Sequence, residues 1–326
     1  MNLMDAIRKK EQFGTNCGDK ALSVAYGVDK NFVFPMGVSM TSVLRFNPST
    51  DFYVFVDEMS QEDRNRIKQT VEKYNTICTI YYVDKGFFTD LRTTKSWSVA
   101  TYFRFLIGSI LYGKIKQILY LDADVMCCAS LTEMINEKWD DYSVAAVSDP
   151  INYDPELSAE KKRRLSALDM DGYTYFNAGV MYINLEDWHK NAISETALKL
   201  LRGEPDKFSC LDQDVLNALL KGRVCLLDKR YNVFASLKYD MTDAILLHFS
   251  GAKPWWTWYG YDGDVDWKYY GLYQEIKAHS AWSEEPYISP SNARDCRMLY
   301  KKRIMEGKYG SAIKWYVEYL YRKAFE

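Results

Sequence analysis

Apolar and polar positions along this chain fall into blocks whose period switches repeatedly. Leu22–Gly27, Phe52–Val56 and Ile77–Val83 are short apolar runs bounded by polar or turn-forming residues, the pattern of buried strands. Between the last two, Ser60-Gln-Glu-Asp63 has the chemistry of a helix start, and Ile67, Val71 and Tyr74 then recur on one stripe. Val99–Tyr112 predicts a strongly apolar helix, and Gln117–Leu121 and Ser143–Ser148 predict strands. A charged helix over Asp154–Leu168 precedes a long strand over Tyr175–Asn184. Asp187–Leu201 and Asp212–Leu220 predict helices, and Ala244–Phe249 a late buried strand. Alternation of this kind over about 230 residues predicts an α/β fold with a mixed, mostly parallel sheet flanked by helices on both faces.

The ends of the chain read differently. Residues 1–20 form a charged arm without a clear period, 21–275 the main domain, and 276–326 a helical C-terminal region. Within 301–326, seven Lys and Arg stand against Glu306, Glu318 and Glu326, interleaved with Tyr309, Trp315, Tyr316 and Phe325. A basic aromatic helix has the composition of a segment lying in a membrane surface. No stretch of 18 apolar residues occurs and the N-terminus lacks an apolar core, so neither a spanning helix nor a signal peptide is expected.

Composition narrows the classes. The net charge of −2 excludes binding of nucleic acid by bulk charge. Seven Cys without a Cys-x-x-Cys pair, and only three His, argue against a zinc site and for free thiols in a reducing cytoplasm. Aromatic residues reach 15%, which suits sugar-facing platforms as well as a Tyr-rich core.

The chemistry concentrates where the apolar run Ile118–Leu121 ends in Asp122-Ala123-Asp124. On an extended chain the two carboxylates share a face, roughly 7 Å apart at the backbone. They repel unless a cation stands between them. Asp169-x-Asp171, Asp212-x-Asp214, Asp262-x-Asp264 and Asp264-x-Asp266 have the same spacing but no strand in front of them. His248 ends a second apolar run and is followed by Gly251, Lys253 and Pro254. Two carboxylate oxygens, an imidazole nitrogen and phosphate oxygens would suit Mn²⁺, with Mg²⁺ as the other choice.

Taken together, these motifs resemble glycosyltransferase family 8, the retaining enzymes of GT-A fold, and within it the bacterial lipopolysaccharide-core α-glucosyl- and α-galactosyltransferases. The resemblance covers about residues 22–260. It implies that Asp29, Asn31 and Phe32 receive the uracil and ribose, with Phe32 where relatives often carry Tyr. It implies that Arg104 lies near the diphosphate, and that Asp122, Ala123 and Asp124 form the metal motif with His248 as third ligand. Asn177, Asp212 and Gln213 would hold the donor sugar at the reaction centre, with Asp149 beside them. Gly251 and Lys253 would bind the diphosphate, on a loop one residue shorter than in some relatives. The implied partners are UDP-glucose or UDP-galactose, a lipopolysaccharide-core acceptor and the inner face of the inner membrane. Acceptor contacts are expected from residues 150–175 and 230–275, which are irregular and rich in Trp and Tyr.

Two other classes share some of these features. A haloacid-dehalogenase-type phosphatase also ends an apolar strand in Asp-x-Asp, and would use Asp122 as nucleophile. A non-catalytic carbohydrate-binding protein would use the aromatics alone. Each motif residue also has a plainer role open to it: Asp29 and Asn31 as turn formers, Arg104 as a cap or pair on its own helix, Asn177 at a bulge, Asp212 as an N-cap.

Overall fold

The computed structural model describes residues 2–15, 22–94, 97–137, 141–152, 159–235, 243–262 and 265–325. Its strands are β1 (Ile7–Phe13), β2 (Leu22–Val28), β3 (Thr50–Val56), β4 (Cys78–Val83), β5 (Gln117–Leu121), β6 (Val125–Cys127), β7 (Val144–Ser148), β8 (Phe176–Asn184), β9 (Val224–Leu226), β10 (Val233–Phe234) and β11 (Leu246–His248). Eight of them form one sheet in the order β1-β4-β3-β2-β5-β8-β7-β9, and β10-β11-β6 form a second, smaller sheet. β4, β3, β2 and β5 run parallel, whereas β8 runs antiparallel to both β5 and β7.

Helices cover both faces of the large sheet, as the near-continuous apolar strands require. Val24, Val28, Leu119 and Leu121 face a core completed by the helix Val33–Phe46 and by Tyr273 and Trp282. The alternating residues Ala25, Ile118 and Tyr120 face an opposite core, built with the helices Arg104–Leu111, Ile193–Gly203 and Leu211–Leu219. The helix Gln61–Tyr74 starts as its sequence indicates, with the Ser60 side chain accepting from the Asp63 amide.

Three elements depart from the sequence reading. The N-terminal arm contains β1, which pairs antiparallel with β4 at the sheet edge. Its side chains are mostly exposed, so no apolar period marks it, and backbone hydrogen bonds hold it instead. The segment Val99–Tyr112 opens with 3-10 geometry at Val99–Phe103 before becoming α-helical at Arg104. The helix expected over Asp187–Leu201 is two, Leu185–Lys190 and Ile193–Gly203, broken where Ala192 takes a left-handed φ of 48°. Of the charged helix expected at Asp154–Leu168, Ala159–Ala167 is helical, and its first residues lie outside the described ones.

The C-terminal helices Ala293–Met305 and Tyr309–Phe325 pack as a hairpin, turned at Gly307 with φ 70°. Among the described residues no helix is long and apolar enough to cross a membrane. No disulfide joins the described cysteines, and Cys17 lies outside them.

Candidate active site

The site forms where β5 ends. Because β8 runs antiparallel to β5, its first residues lie beside the last residues of β5: Leu121 faces Val180, and the Asp122 amide donates to the Gly179 carbonyl at 2.8 Å. The chain then turns out of the large sheet. Val125 opens β6 and pairs with His248 on β11, while the Phe249 amide donates to the Asp124 carbonyl at 2.9 Å. His248 is thereby brought from a distant stretch of sequence to the neighbouring Asp122 and Asp124, with one ligand atom of each within 4.8 Å of the others. A divalent cation with ligand distances of about 2 Å can bridge atoms this close, so the donor set and its spacing fit a metal.

Gly179 makes the gathering possible. A Cβ there would stand 2.4 Å from His248 Cε1 and 3.0 Å from an Asp122 oxygen. The histidine and carboxylate therefore occupy the space of an absent side chain, which accounts for the glycine in Asn177-Ala-Gly179.

His248 Nε2 lies 3.3 Å from Asp124 Oδ1. Lys253 forms an ion pair with the other Asp124 oxygen and also donates to the Phe249 carbonyl at 2.5 Å. Burial alone would raise the Asp124 pKa, but Lys253 and His248 outweigh it and hold the carboxyl well below the ordinary range. Lys253 thus serves as the resident counter-charge of Asp124.

Arg104 is the second hub. Its Nε donates to the Thr101 carbonyl of the preceding turn at 3.1 Å, while the rest of its guanidinium pairs with Asp122 at 2.9 Å and Asp212 at 3.0 Å, donates to the Ala178 carbonyl at 2.7 Å, and lies 4.4 Å from the centre of the Tyr120 ring. Burial opposes its charge, yet Asp212, Tyr120 and Asp122 raise its pKa above the usual value. Burial also raises the Asp212 carboxyl, and Arg104 and the Thr101 hydroxyl offset only part of that. Asp212 is not the cap of its helix: its carboxylate points away to Arg104 and Thr101.

A web of amides completes the site. Asn177 Nδ2 donates to Asp149 Oδ2 and to Gln213 Oε1, each at 3.1 Å. Gln213 Oε1 also accepts from the Ala178 amide at 3.0 Å, and its Nε2 donates to Asp149 Oδ2 and the Tyr175 hydroxyl, each at 3.2 Å. Asn232 joins this web to His248, with contacts of 2.8 Å to Asn177 and 3.0 Å to the ring.

Asp29 accepts from the Asn31 amide at 2.9 Å and from the Ser98 hydroxyl at 2.7 Å, so the turn-forming role is real and Ser98 is tied to it. Phe32, partly exposed, meets Trp255 edge to face at 6.2 Å, which sets it beside the Lys253 loop. Ala123 is buried between the two acids. Asp149, Gln213 and Gly251 line a cavity of about 790 Å³. The same cavity is lined by Arg164, Phe234, Trp256 and Trp258 from the stretches expected to meet an acceptor. It is also lined by Arg294 and Met298 of the C-terminal hairpin, which the sequence reading did not place there. Asn232 was missed as well. Its setting, Lys-Arg-Tyr-Asn, reads as a turn, and its partner Asn177 is 55 positions away.

Known proteins match this chain in sequence and in fold. Residues 23–259 match the model of glycosyl transferase family 8, and residues 270–323 match that of its C-terminal region. The chain is 34% identical to a lipopolysaccharide 1,3-galactosyltransferase of Salmonella typhimurium, over 93% of this chain and 92% of that one. It is 31% identical to the lipopolysaccharide glucosyltransferase WaaO of Escherichia coli, over 93% and 91%. Among solved structures, the galactosyltransferase LgtC in complex with donor and acceptor sugar analogues matches with a TM-score of 0.68 at 24% identity. That match covers 79% of this chain and 96% of that one, and it shows the shared fold.

Proposed function

The chain belongs to glycosyltransferase family 8, and from that premise we propose that it moves a hexose, glucose or galactose, from a UDP-sugar to a sugar of the lipopolysaccharide core with retention at the anomeric carbon. The observation that carries this reading is the convergence of Asp122, Asp124 and His248 at the strand ends, with Lys253 already paired to Asp124.

Asp122, Asp124 and His248 would hold Mn²⁺ or Mg²⁺. Bound there, the ion supplies Lewis-acid stabilisation of the leaving diphosphate. Lys253 adds a cation on the same side, and Arg104 fixes Asp122 and Asp212 relative to each other. Asp29, Asn31 and Phe32 take the nucleoside, and Gly251 leaves the loop backbone open to the phosphates. Asn177, Asp212, Gln213 and Asp149 orient the sugar.

Gln213 Oε1 already accepts from Asn177 and Ala178, so the amide oxygen is engaged as a structural acceptor. We therefore assign it to orientation rather than attack. The acceptor hydroxyl attacks from the face the diphosphate leaves, and a leaving phosphate oxygen takes its proton. Trapping a glycosyl group on a protein side chain would overturn that route. Asp122 as a phosphatase nucleophile fits poorly, since Arg104 and the Tyr120 hydroxyl both bind its Oδ1.

The acceptor enters the cavity walled by Trp256, Trp258 and the C-terminal hairpin. The exposed aromatic and basic side chains of the helix Tyr309–Phe325 rest on the cytoplasmic face of the inner membrane, where such an acceptor is anchored. The test is UDP release from UDP-glucose or UDP-galactose, with truncated lipopolysaccharide cores as acceptors, in Mn²⁺, in Mg²⁺ and with excess chelator. Release is expected only with metal. No release from either donor with any divalent cation would sink the proposal.

A further inference from the structure

We propose that Asn232 is a positioning residue that selects the His248 tautomer and ties the metal end of the site to its sugar end. The inference rests on the metal-dependent reading above and deepens it.

The argument starts from an atom whose role is fixed. The Gly179 backbone amide donates only, and it points at Asn177 Oδ1 at 3.0 Å. This orients the Asn177 side chain, and its nitrogen correspondingly faces the Asp149 carboxylate at 3.1 Å. Asn232 meets the same Asn177 oxygen at 2.8 Å, so it must present its nitrogen there. Its oxygen is then left for His248 Nδ1, at 3.0 Å. An oxygen facing Nδ1 requires that Nδ1 carry a hydrogen. In the neutral ring the lone pair then belongs to Nε2, the nitrogen that faces Asp124. One glycine amide therefore sets, through two asparagines, which histidine nitrogen is free to bind a cation.

The surroundings hold this chain in place. Asn232 is 3% exposed and ends the turn Lys229–Asn232 just before β10. Phe234, paired with His248 across β10 and β11, stacks on the imidazole with 5.3 Å between ring centres. A hydrogen-bonded carbonyl oxygen behind a ligating histidine orients the ring, and its loss typically weakens metal binding about 10- to 100-fold.

Two substitutions separate this role from packing. Asn232→Asp keeps an oxygen for His248 Nδ1 but loses the hydrogens offered to Asn177. Asn232→Ala loses both. The probes are Mn²⁺ uptake in the presence of UDP, read by electron paramagnetic resonance, and turnover of the UDP-hexose donor at saturating Mn²⁺. N232A is expected to weaken Mn²⁺ uptake about 10- to 100-fold. N232D is expected to hold Mn²⁺ within about threefold of wild type while its turnover falls at least about tenfold, because only the sugar end has been disturbed. Wild-type Mn²⁺ affinity in N232A, or equal damage by N232D to both readouts, would overturn the assignment and leave the functional reading standing. A wild-type protein that takes up no Mn²⁺ with UDP would bring down the functional reading, and this assignment with it.

Discussion

The strand-end cluster and the C-terminal hairpin break the usual sorting of side chains in opposite directions. At the cluster, Arg104, Asp212, Asn232 and His248 are polar or charged and buried. On the hairpin, Ile313, Val317 and Phe325 are apolar and 66%, 59% and 77% exposed. The first arrangement is stable because nearly every polar atom has a partner, so charge can be held ready in a largely buried place. The second has no such compensation among the described residues: Ala312 is buried and Tyr300 meets Tyr316 at 5.3 Å, while these residues leave the outer face bare. Buried polarity marks where chemistry is prepared, and exposed apolarity marks where a surface is expected to cover the protein.

Four experiments test that contrast. The largest effect should come from Asp124→Asn and His248→Ala, each lowering metal-dependent turnover roughly 10³-fold or more while the circular dichroism spectrum stays native. Full activity in either would refute the ligand set. Next, Arg104→Met strands Asp122 and Asp212 without their cation and should cost about 3–5 kcal/mol in urea unfolding, the usual result of breaking a buried pair from one side. A loss below about 1 kcal/mol would mean that water screens Asp212 as it does the partly exposed Asp122. Gly179→Ala forces a methyl group against His248 and should cost about 1–3 kcal/mol of stability and roughly 10²-fold in turnover. Unchanged turnover would show that the ring can yield without leaving its place. The smallest effect on stability, within about 0.5 kcal/mol, belongs to the double substitution Ile313→Glu and Val317→Glu on the bare helix face. It should leave release of UDP from soluble donor intact and sharply reduce sedimentation with anionic vesicles. Unaltered vesicle binding would remove the hairpin from the comparison.

How much of this was legible in the sequence follows from what each residue depends on. Asp122, Asp124 and His248 end apolar runs, and a buried strand that stops at a polar residue announces itself locally. The helix start at Ser60 is likewise a local signal. β1 was illegible because an edge strand with exposed side chains is held by its backbone, which carries no residue code. The break at Ala192 depends on a left-handed backbone that alanine does not advertise. Asn232 and Arg294 were illegible for another reason. Their surroundings are supplied by distant parts of the chain, and only the folded topology brings β8 to Asn232 or the hairpin to the cavity.

Asp122 ends a strand of the eight-stranded sheet, whereas Asp124 and His248 travel with the three-stranded one. The cluster therefore straddles a joint between two separately hydrogen-bonded units. Its geometry is a gauge of how they are aligned: a shift of the small sheet well short of one residue, about 3.3 Å, would already carry His248 away from Asp122, although Val125, Leu246 and Leu247 root that sheet in the shared core. Damage far from the cluster that loosens this joint should yield a protein that is folded, soluble and silent.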